Sequence, residues 1–100
     1  MKVYKLTKSQ ILLHDLGLKD QIQRAAVSIP ANISEGDESG SNKQSVKYFN
    51  IAKGSVAELQ TLLIISQEIN YIDIDTKEIL ENECNIISIM LNKPIKARTP

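Results

Sequence analysis

The sequence predicts an all-α fold: an up-down-up-down four-helix bundle with a shortened first helix and a Pro-kinked second helix. Three observations carry that expectation. Apolar residues recur at helical spacing along most of the chain. Three prolines and four glycines in 100 residues leave room for long uninterrupted helices. No useful length alternates apolar and polar residues with the period of two that a half-buried strand needs. A chain of 100 residues has room for one core, so residues 1–100 are expected to form a single domain.

The first predicted helix, about residues 3–8, places Val3 and Leu6 on one face. So short a helix needs packing partners to persist. Residues 9–17 read as a connection. The second helix, 18–34, carries Ile22, Ala25, Ala26, Ile29 and Ile33 along one stripe. Pro30 lies inside it and should bend it without ending it, because its ring removes one donor and crowds the carbonyl of Ala26. Gly36 stands where a left-handed residue would close the helix.

The third helix, 42–70, is the longest, and Ser41 with Gln44 forms a capping-box pattern at its start. Tyr48, Ile51, Ser55, Leu59, Leu62, Ser66 and Ile69 follow one stripe, and Val46, Phe49, Val56 and Leu63 an adjacent one. A helix on the outside of a monomeric bundle needs one stripe only. The second therefore predicts a neighbouring subunit. After a turn at Asn70-Tyr71-Ile72-Asp73, the fourth helix spans 75–92, capped by Asp75 or by the competing Asp73, with Pro94 trimming its end.

Composition excludes several functions. Twelve basic and twelve acidic residues cancel, so the strongly basic balance of a simple nucleic-acid binder is absent. One cysteine and one histidine cannot build a disulfide framework or a Cys/His metal cluster. Phosphate-cradling glycine loops and nucleophile elbows are missing too. No enzyme, cofactor or metal is expected. Without a membrane-length apolar run or a signal-peptide pattern, the expected setting is the cytoplasm.

The run from Asp20 to Gly36, DQIQRAAVSIPANISEG, resembles the signature of the bacterial four-helix bundle proteins of the ribosomal RNA intervening-sequence family. Lys43, then Tyr48-Phe49-Asn50-Ile51-Ala52-Lys53-Gly54-Ser55 and Glu58-Leu59, resembles its second block. The resemblance covers roughly residues 18–90. It implies a small helical protein without established catalytic activity, often encoded within insertions of large-subunit ribosomal RNA genes. A related branch, the accessory variability determinants of diversity-generating retroelements, forms five-fold barrels that bind a reverse transcriptase and nucleic acid. The partners implied are thus other copies of the chain, as a homopentamer, and RNA or a nucleic-acid enzyme. The chain departs from the family at Gln10-Ile11, Gln23 and Ser45, and it lacks the tryptophan of a longer first helix. A short first helix should leave one end of the bundle without a wall, uncovering Ile33, Val46, Phe49 and Met90.

Seven residues of the two blocks are expected to serve structure. Arg24 is expected to pair with Glu58. Pro30 supplies the bend, and Asn32 and Glu35 satisfy groups freed beside it or cap the third helix. Gly36 ends the second helix. Gly54 allows close approach of the second helix through Ala25 and Ala26. Cys84 reads as a buried hydrophobe with no nucleophilic role, and His14 as a solvated loop residue.

Charge is unevenly distributed. Residues 70–92 carry net −4 and residues 93–100 net +3. In an up-down bundle Lys43, Lys47, Lys93, Lys96 and Arg98 gather at one end, opposed by Glu35, Asp37 and Glu38. Asp15, Asp20, Asp73, Asp75 and Glu78 gather at the other. The basic end is the candidate nucleic-acid surface. The plainer account is that bases at helix ends and acids at helix starts complement the helix dipole. The expected function is a non-catalytic oligomeric interaction module, nucleic-acid-associated in one version and a purely structural or protein-binding homo-oligomer in the other.

Overall fold

Three helices account for the described chain. The computed structural model describes the backbone of residues 8–100 and the side chains of residues 17–100. α1 spans Lys8–Glu38, α2 spans Asn42–Glu68 and α3 spans Ile74–Arg98. No strand occurs among the described residues. The all-helical expectation stands, but the four-helix bundle is replaced by three helices. The first predicted helix lies outside the described residues except for Lys8. The predicted connection at 9–17, including the backbone of His14, is helical and belongs to α1; the His14 side chain lies outside the described residues.

The physics favours one long α1. Between Lys8 and Ile29 the only helix-breaking residue is Gly17, which costs about 1 kcal/mol inside a helix. Stopping there and restarting would require a second nucleation, the unfavourable step of helix formation. The helix also runs through Pro30, as expected. Ala26 and Pro30 are both exposed, so water can reach the carbonyl that the proline leaves unpaired. Gly36 does not end α1: no described glycine has positive φ, and the helix continues to Glu38.

The other boundaries follow local chemistry. Ser41 caps α2, its Oγ accepting from the Gln44 N–H at 3.2 Å. Asn70, at φ 63°, closes α2 in the left-handed region. There the Tyr71 N–H reaches the Ser66 carbonyl at 2.7 Å and the Asn70 N–H the Gln67 carbonyl at 3.1 Å, the two bonds of a Schellman closure. Asp73, not Asp75, caps α3: its Oδ1 accepts from the Thr76 N–H at 2.7 Å. Pro94 does not end α3, which continues to Arg98. Ile95 packs on the Phe49, Ala52 and Leu91 cluster, so burial holds the turn that the proline weakens.

α2 is the middle element. Ile29 of α1, Val56 and Leu63 of α2 and Cys84 of α3 form the central cluster. Leu18, Ala25 and Leu62 extend it toward the α2–α3 turn. Of the second stripe expected to meet another subunit, Phe49, Val56 and Leu63 are at most 3% exposed within the single chain, and Val46 is half-buried. The reason is geometric: α2 has a helix on each flank and needs two apolar stripes for its own partners. α1 and α3 do not close the triangle. No described Cα of α1 comes within 8 Å of one in α3, so a groove floored by α2 runs between them.

Candidate functional site

Two features are candidates, a basic end and the apolar groove. The up-down-up path brings the end of α1, the start of α2 and the end of α3 together. There Lys43 and Val46 of α2 and Arg98 of α3, with Asn42, Thr99 and Pro100, line an open pocket of about 540 Å³. Arg98 is the anchored member. Its Nη1 donates to the Pro94 carbonyl at 3.3 Å, and its guanidinium lies 5.3 Å from the Phe49 ring centre. Lys47 lies 5.9 Å from the Tyr48 ring centre. Lys43, Lys47, Lys93 and Lys96 are exposed, as are the opposing Glu35, Asp37 and Glu38. Asp20, Asp73, Asp75 and Glu78 are exposed toward the opposite end. The rod is 51 Å long, several times the roughly 8 Å screening length at physiological salt, so the ends act as separate charged surfaces.

The groove measures about 510 Å³. Ile33 of α1, Phe49 and Leu59 of α2, and Ile87, Met90 and Pro94 of α3 line it, and Asp37 is its one charged lining residue. Of the four residues expected to lose a wall, only Met90 is exposed; Ile33 and Val46 are half-buried, Val46 in the basic pocket, and Phe49 is buried, against expectation. Phe49 is covered from below and only 1% exposed, while Met90 is 67% exposed.

The motif residues are placed differently from expectation at several points. Arg24 pairs with Asp20 at 2.9 Å on the surface, one turn away on its own helix, and does not pair with Glu58. Glu58 is exposed on α2. Asn32 neither serves the Pro30 break nor caps α2. Its Nδ2 donates to the Ser28 carbonyl at 2.8 Å and the Ser28 Oγ at 2.9 Å. Ser28 Oγ in turn meets Ser55 Oγ across the α1–α2 interface at 2.8 Å. This seam went unread in the sequence, although Ser28 and Asn32 at i and i+4 facing a serine in an apolar stripe were its signal. Glu35 is exposed. Gly36 is the close-approach glycine, buried against Phe49. Gly54, given that role from sequence, faces open space, with nothing within 4 Å of where a β-carbon would stand; the structure offers no reason for a glycine there.

Cys84 is buried. Its thiol is pushed above its ordinary value, first by burial and then by the carboxylates of Glu83 and Glu81. The capping bonds to Thr76 hold Asp73 below its ordinary value. Among the described residues no group of three His, Cys, Asp or Glu side chains could hold a metal ion. No described helix is long and apolar enough to cross a membrane.

The family model for the 23S rRNA-intervening sequence protein matches residues 1–93. No curated protein and no solved structure matches the chain.

Proposed function

The chain belongs to the 23S rRNA-intervening sequence protein family, and from that premise we propose that it is a non-catalytic, self-associating interaction module that docks on RNA through its basic end. The gathering of Lys43, Lys47, Lys93, Lys96 and Arg98 on the start of α2 and the end of α3 carries the reading. Phosphate contacts supply the sequence-independent part of RNA affinity and need clustered cations, not a basic total. Arg98, held by Pro94 and Phe49, offers an anchored guanidinium among exposed lysines.

The test is RNA binding at several salt concentrations. Affinity should fall with salt, with a log–log slope of about −0.7 to −0.9 for each phosphate neutralised. Lys43→Gln and Lys96→Gln should each flatten the slope by about one phosphate. Binding that ignores both substitutions, or no binding at low salt, defeats the RNA reading.

A second reading, a structural or protein-binding homo-oligomer with no nucleic-acid role, is favoured by the open groove and by Ile79, Ile86 and Ile89 exposed on α3. Self-association is common to both readings. Light scattering counts the copies, five being the number implied by the family resemblance.

A further inference from the structure

We propose that the outward face of α1 in one copy packs on the exposed back of α2 in the next, head to tail, so that Arg24 meets Glu58 and Val27 sits over Gly54. This rests on the self-association proposed above and names its surface.

Contacts inside the chain fix the heights of the two helices. Ser28 meets Ser55 at 2.8 Å, and the Gly36 carbonyl accepts from the Ser45 hydroxyl at 2.8 Å. α1 and α2 run antiparallel, so each step up one is a step back down the other. These two contacts place Arg24 level with Glu58, Val27 level with Gly54 and Ser55, and Glu35 level with Lys47. Arg24, Val27 and Glu35 are exposed on α1, and Lys47, Gly54 and Glu58 are exposed on α2. A ring whose axis runs along the rod preserves height. The same pairs then stand opposite each other when α1 of one copy lies on α2 of the next.

The two faces complement each other in charge and in shape. Arg24 faces Glu58 one way, and Glu35 faces Lys47 the other. Glu35, Lys47 and Glu58 make no ion pair with another described residue. Arg24 is held by Asp20 in an exposed pair of the kind that contributes little, so it is free to exchange partners. Between the charges, Val27 is an apolar side chain 67% exposed. Gly54 leaves open space where a β-carbon would stand. Nothing inside one chain explains a glycine that weakens its own helix, whereas close approach of a neighbouring helix does. Exposed Ala31 and Ala57 keep the surroundings thin.

α3 does not fit the same place. Its Asn92 is bonded to Lys53 and its Asn85 to Gln60, which fixes its height against α2. At that height Lys96 would stand beside Lys47 of the next copy and Glu78 beside Glu68, like against like. The α1 face and the α2 back are different surfaces, so the contact is heterologous and each copy uses both. They lie on the flank and the back of the rod, not on opposite sides. Successive copies therefore turn, and the contacts close a ring, in keeping with the five copies implied by the family resemblance. Lys47 pairs with Glu35, whose charge no longer opposes the basic end, while Lys43, Lys93, Lys96 and Arg98 stay available to RNA.

The experiment is sedimentation of the whole chain up to roughly 100 µM, a range that detects weak association, with circular dichroism confirming the fold of each variant. The wild type should form an assembly larger than a dimer. Arg24→Glu and Glu58→Arg should each weaken it by roughly tenfold or more, and the double variant should restore it. Gly54→Leu should abolish it by filling the space that Val27 takes. Ile86→Lys, exposed on α3 and outside both faces, should leave it unchanged. Association that survives Arg24→Glu or Gly54→Leu, a double variant that stays apart, loss on Ile86→Lys, or a closed dimer overturns this contact while self-association stands. A wild type monomeric throughout overturns both, and RNA binding at the basic end is measured independently.

Discussion

The ring of Phe49 occupies the space where a β-carbon on Gly36 would stand: its Cε1 lies 2.5 Å and its Cδ1 2.7 Å from that position. Phe49 cannot swing away. It is 1% exposed, clustered with Ala52 and Leu91, and covered by the Arg98 guanidinium. The Ser45 Oγ donates to the Gly36 carbonyl at 2.8 Å from the same side. Gly36 thus sets the distance between the last turn of α1 and the first turns of α2, and hence the shape of the basic end. Gly36→Ala should gain helix propensity of up to about 1 kcal/mol and still destabilise the chain, because overpacking a fixed aromatic costs about 1–3 kcal/mol. Urea denaturation measures the net sign. A Gly36→Ala chain more stable than wild type would show that Phe49 is free to yield.

Gly54 should respond in the opposite direction. It lies inside α2 with open space where a β-carbon would go. Gly54→Ala should stabilise by about 0.5–1 kcal/mol, from lost backbone freedom in the unfolded chain and better helix propensity. The same denaturation series checks it, and the two glycine variants are each other's control.

These two glycines show what the sequence could convey. Period and capping were legible: α2 was expected at 42–70 and is found at 42–68, and Ser41 caps it as its pattern with Gln44 predicts. The paired apolar stripes of α2 were legible as well. Their cause was not, because a stripe buried by a second subunit and one buried by α3 have the same spacing. Which glycine meets a neighbour depends on the rotation of α1 about its axis, and no local pattern reports that. Gly17 and Pro94 misled for a related reason. Each weakens a helix locally, but cooperative propagation carries α1 past one and packing of Ile95 carries α3 past the other. The basic end was legible because an up-down path and charge positions suffice to assemble it. The groove was legible in part, through Met90, which was expected to be uncovered and is, whereas Phe49 is buried beneath it.

The Ser28–Asn32–Ser55 seam should behave as a unit. Ser28 is the hub, meeting Ser55 and Asn32 at once. Ser28→Ala strands the largely buried Ser55 hydroxyl and should cost about 1–3 kcal/mol, the range for an orphaned buried polar group. Ser55→Ala leaves Ser28 still served by Asn32 and should cost less, about 0.5–1.5 kcal/mol. The double variant should cost no more than Ser28→Ala alone. Strict additivity in that cycle would mean that the two hydroxyls do not interact.

Asp73 ties α3 to pH. Its bonds to Thr76 lower its carboxyl below the ordinary value of 3.8. A group with a depressed folded value stabilises the fold above its unfolded value and loses that contribution as pH falls through the folded one. The wild type should therefore lose stability relative to Asp73→Asn as pH drops below about 4, since the amide caps without titrating. Thermal melts of both chains from neutral to strongly acid pH show it. A pH-independent gap between the two curves would remove Asp73 from the acid response.

Cys84 reports on the α2–α3 contact. It is 3% exposed and belongs to the cluster with Ile29, Val56 and Leu63. Burial first, then Glu83 and Glu81, hold its thiol above the ordinary value, so the reactive thiolate is scarce at neutral pH and shielded when it forms. Labelling by a disulfide reagent should be slow in the native chain and immediate in denaturant. The native rate should rise with pH as thiolate accumulates. If α3 detaches from α2 as a unit, the rate should also follow the population of that opened state. Leu80→Ala, which trims the packing beside Cys84 without touching the α1–α2 seam, should then accelerate labelling more than Ser28→Ala does at equal loss of global stability. Equal acceleration by both would mean that Cys84 is reached only through global unfolding, and that α3 does not open separately from α2.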